Sequence, residues 1–144
     1  MQALLHACAG PSYGARVVAV GADRRGAAGI RAAEEAGVPT FVRVLSEHSS
    51  REEWDASLRD AVAAYTPDIV VLAGFLKLVG PEFLSSFPQR VVNTHNALLP
   101  SFPGMHGPAD ALAYGVKVTG ATLFVVDPGM DTGAILGQTT CPVL

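Results

Sequence analysis

Cysteine, tryptophan and charge are all scarce in this sequence. Of 144 residues, two are cysteine, one is tryptophan and 16% are charged. Cys8 and Cys141 lie far apart and form no C-x-x-C or other metal-ligand spacing, which excludes a disulfide framework and a dithiol redox motif. Both read as reduced core residues. The net charge is −3, from 10 basic and 13 acidic side chains, so no basic excess points to nucleic acid. No apolar run approaches the ~20 residues of a membrane span; the longest, residues 69–75, is strand-sized. No basic stretch followed by an apolar one opens the chain, so no leader is read and a cytoplasmic setting is expected. There is no H-E-x-x-H, P-loop, G-x-G-x-x-G or G-x-S-x-G, and the four histidines stand at no metal-ligand spacing. No metal is expected, and neither a membrane nor a nucleic-acid partner.

What is present points to a packed α/β domain. Hydrophobic residues make up 49% of the chain, too many for a disordered one, and the length suits a single domain over 1–144. Short β-branched runs alternate with helical patterns, as in a doubly wound, mostly parallel sheet. Strands are expected at Arg16–Val20, Thr40–Val44, Ile69–Leu72, Arg90–Thr94, Thr119–Val126 and Ala134–Val143. Of these, Ile69–Leu72 reads as the most buried. Helices are expected at Met1–Ala9, Arg24–Ala36, from Ser49 or Ser50 to Tyr65, from Pro81 to Leu84, and at Gly107–Tyr114. Glu52 and Glu53 fall in the first turn of the third helix, where the dipole favours them. Trp54, Leu58, Ala61, Val62 and Tyr65 make its apolar stripe.

The densest polar constellation is Asn93-Thr94-His95-Asn96, at the C-terminal end of an expected strand. Ligand-binding groups gather at that edge of open α/β sheets. Alternation puts Asn93 and His95 on one face of the strand. Such a pair can hold an oxyanion and manage a proton, or it can satisfy backbone groups at a strand end. The loop Asp127-Pro128-Gly129-Met130-Asp131-Thr132-Gly133 offers Asp131 as a carboxylate for His95, although both aspartates are also ordinary turn formers. His106 can reach a ligand or cap the helix that follows. Arg51, at a helix N-terminus, can bind an anion or stay solvated. Lys77 follows a strand in a loop that carries Gly74.

Residues 93–107 read N-T-H-N-A-L-L-P-S-F-P-G-M-H-G. This segment strongly resembles the catalytic segment of the phosphoribosylglycinamide formyltransferase family, folate-dependent enzymes of purine biosynthesis. Pro67–Leu78 and Asp127–Gly133 resemble two further segments of that family, and Leu4, Leu5, Ala7 and Cys8 its first helix. The resemblance implies formyl transfer from 10-formyltetrahydrofolate, a co-substrate, to the amine of glycinamide ribonucleotide. It implies that Asn93 donates to the oxyanion, that His95 is the acid, and that Asp131 favours the charged ring and orders a proton-relaying water. It places folate against Arg51, Leu76, Lys77, Leu78, Val79, Asn93, Asp127, Pro128, Gly129 and Met130, and ribonucleotide near Asn96 and His106. Other formylfolate enzymes, acting on methionyl-tRNA or hydrolysing formylfolate, and a non-catalytic folate-binding remnant are the alternatives.

Three positions depart from the family pattern. Asn96 stands where proline is usual, Lys77 where arginine is, and Phe124 where some members carry histidine. The family also opens with a strand and a Gly-rich phosphate loop, whereas this chain opens on a helix. The domain is therefore expected to be partial at both ends and a poor binder of the ribonucleotide phosphate.

Overall fold

The computed structural model describes residues 1–144. They divide into two compact units, Met1–Pro67 and Asp68–Leu144. The first contains helix α1 (Gln2–Ala7), strand β1 (Val20–Ala22), helix α2 (Ala28–Glu35), strand β2 (Thr40–Val42) and helix α3 (Arg51–Ala63). The second contains strand β3 (Val70–Leu72), helix α4 (Pro81–Ser86), strand β4 (Val91–His95), helix α5 (Gly107–Tyr114) and strands β5 (Val118–Val125) and β6 (Ile135–Pro142).

In the first unit β1 and β2 pair in parallel, with Val20 opposite Thr40. The run Arg16–Val20, expected as a strand, joins that ladder only at its last residue. β2 supplies a partner three residues long, and residues 16–19 have none to pair with. Helix α2 is shorter than expected at its start and closes in a Schellman turn: the Val38 N–H donates to the Ala33 carbonyl at 2.9 Å and the Gly37 N–H to Glu34 at 3.0 Å. Helix α3 has Ser50 as its N-cap, its hydroxyl accepting from the Glu53 N–H at 3.1 Å. The Glu53 carboxylate reaches back to the Ser49 N–H at 2.7 Å, a capping box displaced by one residue. The apolar stripe of α3 buries Trp54, Leu58 and Ala61, and the Trp54 Nε1–H donates to the Arg43 carbonyl at 2.8 Å. Removing roughly 150–250 Å² of tryptophan surface from water is worth on the order of 4–6 kcal/mol.

The second unit is built on a four-stranded sheet in the order β3-β4-β5-β6. β3 and β4 are parallel, while β4, β5 and β6 form an antiparallel meander, so this sheet is mixed. The loop between β5 and β6 is short enough for a hairpin, whereas a parallel return would require a crossover. β3 is an edge strand, and Ile69 and Val71 stay exposed at its flank; the most buried strand is β4 instead. The core of this unit gathers Val79, Phe83, Phe87, Val91, Ala97, Leu99, Ala111 and Phe124, with the Phe83 and Phe87 rings 5.0 Å apart and tilted by 53°. Cys141 lies on β6 and is exposed, and Cys8 is only half-buried, so neither is a core residue. β6, the other edge of the sheet, is exposed along its length. No helix is long and apolar enough to cross a membrane.

Candidate active site

The pairing register places two rows of side chains across the second sheet. His95 on β4 lies opposite Thr122 on β5, and Thr122 lies opposite Gln138 on β6. One step along, Asn93 lies opposite Phe124. Cross-strand partners share a face, as do residues two apart on one strand, so Asn93, His95, Thr122, Phe124 and Gln138 project on the same side.

The chain leaves β4 at His95 and doubles back over that face. Two features allow it. Gly120, two residues before Thr122, has no side chain; a Cβ there would meet the Thr139 backbone and come within 2.9 Å of the Leu98 side chain. The fully buried Thr122 hydroxyl donates to the Ala97 carbonyl at 2.7 Å and accepts from the Leu99 N–H at 3.0 Å. The returning segment ends at Phe102, whose carbonyl lies 2.7 Å from His95 Nε2. A carbonyl only accepts, so Nε2 carries the proton.

Nδ1 therefore faces the other way, toward Asp131 Oδ2 at 3.5 Å. Both side chains are almost fully buried, at 5% and 11% exposure. The same carboxylate oxygen accepts the Gly104 N–H at 2.7 Å. An acceptor thus lies on each side of the imidazole, the Phe102 carbonyl at Nε2 and the Asp131 carboxylate near Nδ1. The Val126 N–H bonds the Val91 carbonyl, so the loop carrying Asp131 starts beside the opposite end of β4 and reaches back about 13 Å along that strand. Within it, Asp127 Oδ1 accepts from the Gly129 N–H at 3.0 Å and the Thr132 hydroxyl at 2.7 Å, which closes the turn. Asp131 and Phe102 both have φ near +55°, a region costly for residues with a side chain. The two residues that hold the His95 ring are thus both in uncommon backbone conformations, kept by these bonds.

Asn93 is half-buried, and its side-chain amide makes no hydrogen bond within the protein. It is a free donor on the face that carries His95. The structure therefore brings together His95 and Asp131, places Asn93 on the same face of the sheet, and sets the Phe102 carbonyl against the ring's other nitrogen and the Gly104 N–H against the carboxylate.

The remaining candidates are placed as follows. Leu76, Lys77, Leu78 and Val79 form the loop after β3; Leu76 and Leu78 are exposed, Lys77 is half-buried and Val79 is buried. Because Leu72 pairs with Asn93 in parallel, that loop leaves the sheet at the Asn93 end. Pro128, Gly129 and Met130 are exposed on the loop that carries Asp131. Asn96 and His106 are exposed as well, and His106 is the N-cap of α5 without a side-chain capping bond. Arg51 belongs to the first unit, where its guanidinium lies 5.3 Å over the Trp54 ring. No group of three or more His, Cys, Asp or Glu side chains comes together to hold a metal.

Sequence reasoning missed Thr122, Gln138 and Gly107. The first two matter through cross-strand register, which no local pattern announces. Gly107, buried at the start of α5, faces His95 Nε2, the Phe102 carbonyl and Ala97; its sequence signal, a glycine beside His106, reads equally as a turn.

A family model described as formyl transferase matches residues 1–144. The chain belongs to the formyl transferase family. It is 58% identical over 147 residues to the phosphoribosylglycinamide formyltransferase of Mycobacterium tuberculosis (strain ATCC 25618 / H37Rv), covering 100% of this chain and 66% of that protein. It is 35% identical over 143 residues to the protein of that name from Escherichia coli (strain K12), covering 99% of this chain and 68% of that one. Among solved structures, glycinamide ribonucleotide transformylase 1 from Symbiobacterium toebii superposes with a TM-score of 0.96 at 40% identity, over 99% of this chain and 68% of that chain. This formyl transferase chain thus spans about two thirds of the length of the relatives it matches.

Proposed function

We propose that this chain transfers the formyl group of 10-formyltetrahydrofolate to the amine of glycinamide ribonucleotide, a cytoplasmic step of purine biosynthesis. The observation that carries this reading is the free Asn93 amide on the face of His95, whose ring is held between Asp131 and the Phe102 carbonyl. The names of the relatives support the substrates.

In the proposed reaction the amine nitrogen attacks the formyl carbon, and the carbonyl oxygen becomes an oxyanion. Asn93 donates a hydrogen bond to that oxygen. Losing such a donor costs about 10²–10³ in rate. The bond from carbon to the folate nitrogen then breaks, and the proton lost by the attacking amine ends on that nitrogen. His95 supplies positive charge beside the oxyanion and a proton for the relay, and Asp131 holds the ring for that task. The exposed Leu76 and Leu78 on one loop and the exposed Met130 on the other offer apolar contact for the flat folate ring, while Lys77, Val79, Asp127, Pro128 and Gly129 lie on the same two loops. Arg51 is assigned to the folate's anionic tail, and Asn96 and His106 to the ribonucleotide.

The test is incubation of the chain with 10-formyltetrahydrofolate and one acceptor at a time, with products followed by mass spectrometry. Formylated glycinamide ribonucleotide, lost in His95→Ala and Asn93→Ala, is the expected result. Formylated methionyl-tRNA, or formate released without an acceptor, would assign the chain to another formylfolate reaction. Unaltered transfer by His95→Ala would refute the mechanism.

A further inference from the structure

We propose that Gln138 is a positioning residue for His95, acting from the outer edge of the sheet through the segment 97–102. Gln138 sits on β6, two strands from His95 and in the same cross-strand row. Its Nε2 donates to the Leu99 carbonyl at 2.8 Å and to the Thr122 hydroxyl at 3.1 Å. The Leu99 oxygen can only accept, so the amide nitrogen must face it. With these bonds the Thr122 hydroxyl is saturated. The Thr122 hydroxyl gives its one proton to Ala97 and its lone pairs to the Leu99 N–H and to Gln138. Leu99 has both its N–H and its carbonyl engaged. The clamped residues are the middle of the segment that begins at His95 and ends at the Phe102 carbonyl on the same imidazole. Ser101 carries the constraint onward, its N–H bonded to the Leu98 carbonyl at 2.9 Å. The residues of β6 are exposed, Gln138 included, yet the Gln138 amide turns inward and bonds to this segment.

The catalytic consequence rests on the formyl-transfer reading, so the primary measurement is independent of it. Two variants separate hydrogen bonding from space-filling. Gln138→Met keeps the volume and loses the donor. Gln138→Glu keeps the shape but sets an acceptor against the Leu99 carbonyl. In the full chain labelled with ¹⁵N-histidine, the His95 Nε2–H held by Phe102 is expected to exchange slowly. In both variants its exchange is expected to rise about tenfold, as the loss of a part-buried bond worth about 1.4 kcal/mol would produce. Where transfer is measured, kcat falls about 10- to 100-fold with KM nearly unchanged, as for a displaced catalytic group. Unchanged His95 ring signals and exchange in both variants would overturn the proposal, since a space-filling side chain predicts that result for Gln138→Met. If a variant does not fold, the unsubstituted chain still decides. Both Gln138 amide protons should be protected from exchange, and exchange as fast as in a free glutamine side chain overturns the proposal. Ring signals that respond in a chain with no transferase activity would refute the formyl-transfer reading and leave this one standing.

Discussion

Replacing Gly107 by alanine sets two effects of opposite sign against each other. Alanine is the better helix former by about 0.8–1.0 kcal/mol in a helix interior, and less at the first residue of a helix, where Gly107 stands. Against this, a Cβ at Gly107 would lie 3.2 Å from the Ala97 Cβ, 3.3 Å from His95 Nε2 and 3.3 Å from the Phe102 oxygen. Relaxed carbon contacts are roughly 3.5–4.0 Å, so one of the three must yield. None is free to do so. The Ala97 carbonyl is tied to Thr122, and His95 and Phe102 are bonded to each other at 2.7 Å. Overpacking of this kind costs about 1–3 kcal/mol. The net expectation for Gly107→Ala is a loss of about 1–2 kcal/mol, or a fall in Tm of roughly 3–8 °C for a domain of this size. Urea denaturation measures it. The His95 Nε2–H should also exchange faster, and formyl transfer should fall by about tenfold or more. A midpoint equal to or above the parent's would refute the packing argument, because it would mean that His95 and the segment 97–102 give way at no cost.

Other outcomes follow from the same structure. Asp131→Asn keeps a residue that tolerates φ near +56° and keeps an acceptor for the Gly104 N–H. Stability should therefore hold while kcat falls by about 10²-fold or more, as steady-state kinetics beside a thermal melt would show. Trp54→Phe leaves the Arg43 carbonyl without its donor and a void in a fully buried site. Its expected cost is about 2–4 kcal/mol in urea denaturation. The Ser49 hydroxyl, and after it the Ser49 N–H, hold the Glu53 carboxyl below the ordinary glutamate value of 4.5. A carboxyl so lowered stabilises the fold above its unfolded value, and that contribution is lost as pH falls through the lower folded value. The deficit in Tm of Glu53→Gln should be full at neutral pH and should shrink below pH 4.5; a deficit independent of pH would contradict this origin.

Some of this protein was determined by sequence alone, and the physical reason is locality. A cap at Ser49 or Ser50, which the structure resolves to Ser50, the stripe through Trp54, Leu58 and Ala61, and a strand at Arg90–Thr94, found at Val91–His95, depend on residues within a turn or two of one another. Their positions follow from capping, a period of 3.6 and a period of two. Asn93, His95 and Asp131 were legible as chemistry because an amide, an imidazole and a carboxylate stand at loop and strand ends, and because their surroundings resemble a known family. Tertiary structure alone decided what holds them. Strand length was set by the partner, so Arg16–Val20 became a strand only where β2 faces it. Exposure was set by place in the sheet, so Ile69 and Val71 on an edge stayed open although their side chains are as apolar as any in the core. The reach of the Asp131 loop along β4, the return of Phe102 to the ring and the row His95–Thr122–Gln138 join residues up to 43 positions apart. Such bonds depend on register between strands, and register is a property of the whole sheet, which no single stretch of sequence contains.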